Sequence, residues 1–156
     1  MVHDSDTPGA GGAQDRAWMR RQLAEAIDAG ERAMRSLSDA RDNLGSAGTW
    51  GLFDLLGGGF IAGMIKRSKM EDASENLRSA QRDLEIFQDE LQDVDVMMDI
   101  DLEVDGFLSF ADLFMDSFFA DALVQEKISR AKKQADEAIA RTGSIVRALR
   151  NTYESL

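Results

Sequence analysis

At 156 residues the chain has the length of one domain, enough to bury a core but not two independent ones. Its formal charge of −11 argues against nucleic acid, whose binding depends on Lys and Arg neutralising phosphates. The absence of cysteine removes disulfides, thiolate catalysis and cysteine-ligated metals, and a single histidine, His3, leaves no histidine zinc site and no Glu-x-x-His di-iron pattern.

Residues 1–14 hold the only proline, the only histidine and almost nothing apolar, which predicts a disordered tail. No part of it joins basic residues to an apolar run as a secretory signal would, so a cytoplasmic location is expected. From Asp15 onward Leu23, Ile27, Gly30, Met34, Leu37 and Leu44 recur at spacings of three and four, with Arg41 interrupting the seam. This predicts a first helix ending near Gly45. Thr49 to Ile65 follows with one charge, Asp54, and a Gly57-Gly58-Gly59 run that should break any helix beginning at Trp50. A phosphate loop is not indicated, because neither a preceding strand nor a Gly-Lys-Ser/Thr accompanies the glycines.

The second helix has the cleanest pattern. Met70, Ala73, Leu77, Ala80, Leu84, Phe87, Leu91 and Val94 alternate steps of three and four, the heptad seam of a helix lying along others, as in a coiled coil. The period then changes to two. Val96, Met98, Ile100, Leu102 and Val104 alternate with Met97 and the acidic Asp95, Asp99, Asp101, Glu103 and Asp105, predicting a short acidic β-strand over 96–105 whose partner could be the same strand of a second subunit. Phe107 to Val124 reads as a short amphipathic helix: Asp112, Asp116 and Asp121 give a polar side, Phe110, Leu113, Phe114, Phe118 and Leu123 an apolar one. A third long helix carries Ile128, Ala131, Ala135, Ala138, Thr142, Ile145 and Leu149. Its seam is small, and with Gly30, Ala33, Ala73 and Ala80 it predicts close axial approach.

A shift of 58 residues lays Asp54, Leu55, Phe60, Ala62, Lys69 and Ala73 on Asp112, Leu113, Phe118, Ala120, Lys127 and Ala131. That correspondence suggests an internal duplication, about 50–77 and 108–135, with two aromatic connections closing over one another at one end of the bundle. If exposed instead, Trp50, Phe53, Phe60, Phe107, Phe110, Phe114 and Phe118 would bind a partner or, as a remoter reading, a membrane surface.

Asp101, Glu103, Asp105 and Asp112, with Gly106 at the sixth position, Leu108 at the eighth and Ser109 at the ninth, form a segment that resembles the calcium loop of EF-hand proteins. The resemblance covers twelve residues and implies a Ca²⁺ site with those four side chains as metal ligands. Glu103 at the third position and Asp112 at the twelfth depart from the usual pattern. Charge is also segregated: Asp83 to Glu126 contains fourteen acidic residues and no Lys or Arg, whereas Lys127 to Arg150 contains seven basic residues against two acidic. Asp112 and Asp116, one turn apart, are the nearest thing to an acid/base pair, a spacing common on solvated helices.

The expected fold is therefore all-α, an antiparallel bundle of three long helices with two amphipathic aromatic helical connections and one short acidic β-strand. The expected role is that of a non-enzymatic helical scaffold or protein-interaction protein, self-associating or binding another protein. It implies no small-molecule substrate and no cofactor other than the Ca²⁺ of a calcium-responsive alternative.

Overall fold

The computed structural model describes the backbone of residues 8–55, 60–98, 104–122 and 124–156, and the side chains of 12–44, 75–96, 104–122, 124 and 126–156. It is all-helical. Four α-helices follow one another as α1 (Pro8–Leu55), α2 (Phe60–Met98), α3 (Val104–Ala122) and α4 (Ile128–Ser155), with a 3-10 turn at Gln125–Lys127 leading into α4. The short breaks between them make each helix antiparallel to the one before it. Packing runs α1 on α2, α2 on α3, α3 on α4 and α4 back onto α1. The result is an up-down-up-down ring of four rather than three long helices with connections.

Matched side chains set the register. On α1 and α2, Gly30 lies against Phe87 and Ser36 donates to Asp83, which places the reversal between Leu55 and Phe60, where the three glycines fall in sequence. On α1 and α4, Arg41 pairs with Asp136 and Glu31 with Arg150. Because α1 has 48 residues and α3 only 19, about 72 and 28 Å at 1.5 Å per residue, the four-helix section occupies only part of the long hairpin.

The predicted seams are the observed core. Leu77, Ala80, Leu84, Phe87, Leu91 and Val94 of α2 are buried, as are Ala131, Ala135, Ala138, Thr142, Ile145 and Leu149 of α4. On α1, Leu23, Leu37 and Leu44 are buried together with Ala26, Ala29, Ala33 and Ala40, so its interior stripe alternates large and small. Burial of such a continuous stripe supplies most of the stability of helices like these.

Several expectations change. The first helix does not stop near Gly45; it runs through Gly45, Gly48 and Gly51 to Leu55 although each glycine costs about 1 kcal/mol against Ala, because a glycine lowers helix propensity without forbidding the helix. It also begins at Pro8, inside the segment expected to be a disordered tail, with proline at the first helical position where its missing N–H is harmless. Residues 1–7 lie outside the described residues. No strand occurs among the described residues. The acidic β-strand expected over 96–105 is replaced at both ends by helix, because α2 continues to Met98 and α3 starts at Val104, while 99–103 lie outside the described residues. Val94 is buried and Val96 is 85% exposed, so the alternating apolar residues do not share a face. Helical continuation satisfies the backbone N–H and C=O groups that a lone strand would leave without partners. The second connection is α3 itself, a full helix.

The 58-residue correspondence sets the break between α1 and α2, whose residues 56–59 lie outside the described residues, against the interior of α3. The first copy reverses between Leu55 and Phe60, whereas the matching stretch from Leu113 to Phe118 lies inside α3. The closure of one aromatic connection over the other involves side chains from Thr49 to Ile65, which lie outside the described residues.

Two interior positions carry distinct strains. A Cβ at Gly30 would stand 2.5 Å from Val146 Cγ2 and 2.8 Å from Phe87 Cε1, so α1, α2 and α4 meet there with no room for a methyl group. A Cβ at Gly143 would meet only the flexible tip of Met34, at 3.2 Å. Gly30→Ala is expected to destabilise the fold by about 1–3 kcal/mol through overpacking, and Gly143→Ala to be neutral or to stabilise by up to about 1 kcal/mol through helix propensity. Urea unfolding followed by circular dichroism measures both. Thr142 is fully buried and its Oγ1 has no hydrogen-bond partner in the protein. Thr142→Val keeps the shape, removes the stranded hydroxyl and is expected to stabilise by about 1 kcal/mol in the same assay.

Candidate interaction surface

The apolar side of α3 is built by Val104, Phe107, Ala111, Phe114, Phe118 and Ala122, at steps of three and four, all buried. Its rings form a ladder. Phe107 meets Phe87 of α2 edge-on at 5.5 Å, and Phe114 stacks on Phe118 with centroids 4.8 Å apart. Such pairs add about 0.5–1.5 kcal/mol beyond their area and hold α3 in the ring.

Polar side chains fix the two flanks of α3. Toward α2, Gln88 Nε2 donates to Asp112 Oδ1 at 3.0 Å. Toward α4, Gln134 Nε2 donates to Ser117 Oγ at 2.9 Å and to Asp121 Oδ2 at 3.1 Å, and Lys127 Nζ stands 3.8 Å from Asp121. The Arg141 guanidinium covers the Phe110 ring at 4.3 Å while pairing with Glu137 at 3.1 Å. Between these contacts lies a groove of about 180 Å³ lined by Phe110, Leu113, Phe114, Ser117, Gln134 and Glu137. Leu113 is 73% exposed at its rim. A second hollow between α1 and α4, near Ile27 and Tyr153, is crossed by the Arg150–Glu31 ion pair.

The aromatic residues expected to bind a partner divide accordingly. Phe107, Phe114 and Phe118 are buried and serve the fold, Phe110 is partly exposed under Arg141, and the side chains of Trp50, Phe53 and Phe60 lie outside the described residues. On α3 the large apolar side chain that faces solvent is Leu113, which the sequence reading placed on the apolar side. Its position on a helical wheel, about 140° from the Phe107–Phe118 stripe, is the signal that separates it.

Two of the four expected calcium ligands fall among the described residues. Asp105 and Asp112 are exposed on one continuous helix, seven residues and about 10 Å of rise apart, where an EF-hand needs a loop that folds back on the ion. Asp101 and Glu103 lie outside the described residues. Among the described residues no group of three or more His, Cys, Asp or Glu could hold a metal ion. Nor, among them, is any helix long and apolar enough to cross a membrane. Asp112 and Asp116 share the outer side of α3 without enclosing a cavity.

Charge is arranged by face. Glu85, Asp89 and Asp93 on α2 and Asp105, Asp112 and Asp116 on α3 are exposed, while α4 exposes Arg130, Lys133, Arg141 and Arg147 together with Asp136 and Glu137. The pKa of Glu90 on α2 is raised above the ordinary 4.5 first by burial, then by Glu25, Asp93 and Asp89, with Arg32 opposing. The sequence matches no protein-family model, and neither the curated proteins nor the solved structures contain a match to it.

A raised carboxylate pKa means that the folded state binds the proton more tightly than the unfolded one. The ionised group therefore costs stability above its folded pKa, and the cost fades as pH falls to the unfolded value. Glu90→Gln is expected to melt slightly higher than wild type at pH 7, with the difference vanishing near pH 4; thermal melts across that range measure it. Partial exposure keeps the effect small.

Proposed function

We propose that this chain is a non-enzymatic helical scaffold that works through protein–protein contact, its own copies included, and that the α3–α4 side carries the contact. The observation that supports this reading most is Leu113, a large aliphatic side chain left 73% exposed at the mouth of an apolar groove, on the side of α3 that also exposes Asp105, Asp112 and Asp116. Desolvated aliphatic and aromatic anchors surrounded by polar rims are what protein interfaces use. Charge segregation adds direction, because an acidic face and a basic face on one bundle favour defined mutual orientations over random collision. Catalysis has no comparable support among the described residues. The one carboxylate there with a resolved pKa shift, Glu90, is raised by burial and like charges on an α1–α2 surface.

Light scattering on the full chain across a concentration series is expected to give a mass that rises above that of one chain. A single-chain mass at every concentration would remove self-association from this reading.

A further inference from the structure

We propose that a second copy of this chain docks on the α3–α4 groove, related to the first by a twofold axis parallel to the bundle, so that each α3 lies on the other copy's α4. The proposal rests on the scaffold reading above and names its partner. Two helices side by side can stack on their own copy with twofold symmetry in two ways. An axis perpendicular to the helices lays α3 on α3 and sets Asp105, Asp112 and Asp116 against themselves, with no cation on α3 to relieve them. An axis parallel to the helices lays α3 on α4, where the acidic Asp136 and Glu137 are already paired with Arg41 and Arg141 of their own copy, and meets those aspartates with Lys133 and Arg147, and does so twice. Charge complementarity selects the second.

The parallel axis also leaves every residue at its own height, so the register inside one copy predicts the contacts between two. Phe110 is level with Arg141 and Ser117 with Gln134. Leu113 then stands level with Ala140, to within about one turn. On the second copy Glu137, Ala140, Arg141 and Ser144 have the i, i+3, i+4, i+7 spacing of a hole that receives a knob, and its two small members are exposed. At the same heights Asp105 faces Arg147, and Asp116 comes within a turn of Lys133. The Leu113 that one copy leaves uncovered therefore has a seat on the other, floored by Ala140 and Ser144 and flanked by the paired Glu137 and Arg141. Each copy contributes a face about 28 Å long and about 20 Å wide, roughly 1,100 Å² in total, at the lower limit of stable interfaces. The dimer should be reversible and dependent on concentration.

The natural chain has no cysteine, which makes disulfide trapping specific. In the full chain, Leu113→Cys combined with Ala140→Cys is expected to give a covalent dimer under mild oxidation, whereas Leu113→Cys alone is not. Efficient trapping by the single variant would indicate the perpendicular axis and overturn the proposal, as would a double variant that stays uncrosslinked. In sedimentation velocity, Leu113→Glu is expected to weaken dimerisation by about tenfold or more while leaving the thermal melt unchanged, since the side chain is exposed. Arg147→Glu should weaken it too, and Asp105→Arg in the same chain should restore it. A dimer indifferent to Leu113→Glu overturns this interface and leaves self-association standing; a wild-type chain that never dimerises overturns both.

Discussion

The bundle depends on one crossing. At Gly30 the backbone of α1 comes so near Phe87 of α2 and Val146 of α4 that not even a methyl group would fit between them. Phe87 in turn receives Phe107 edge-on, so the same point fixes where α3 begins its run along the ring. Four helices are thus referred to one position in the first of them. The alanines above and below it on α1 and α4 extend the close approach, and the ion pairs Glu31–Arg150, next to the crossing, and Arg41–Asp136, about three turns along α1, join the same two helices. Exposed pairs contribute little energy. Their value is in opposing a slip of one helix along the other.

On this frame α3 is the element with two tasks. Its inner stripe of Phe107, Phe114 and Phe118 completes the core, while its outer side is left to Asp105, Asp112, Asp116 and Leu113. The hydrogen bonds from Gln88 and Gln134 hold it from both flanks, which keeps the outer side in a constant orientation. A surface intended for recognition benefits from that rigidity, because less freedom is lost when a partner arrives.

The helical seams were legible because their period is set by packing and little else. Leu77 to Val94 and Ala131 to Leu149 read correctly from spacing alone. The acidic stretch after Val94 did not, since alternating apolar and acidic residues fit a strand as well as they fit a helix end and the beginning of another. Only the neighbours decide between them, and here α2 and α3 extend to Met98 and Val104. Gly45 misled for a related reason: a residue that weakens a helix locally does not end one whose partner helix runs alongside. At the candidate surface, sequence composition pointed to phenylalanines, of which the fold uses Phe107, Phe114 and Phe118 internally. Leu113 was read with them on the apolar side because its exposure depends on which way the helix is turned, a quantity fixed by the contact of Phe107 with Phe87 on another helix.

Unequal helix lengths have a mechanical consequence. A pull applied along the bundle axis at the ends of α1 and α2 would load their shared seam in shear, with many side-chain contacts resisting together, while α3, set against the C-terminal part of α2, and α4 would act as a clasp on that seam. Such a shape bears tension better than a set of equal rods capped at the same height.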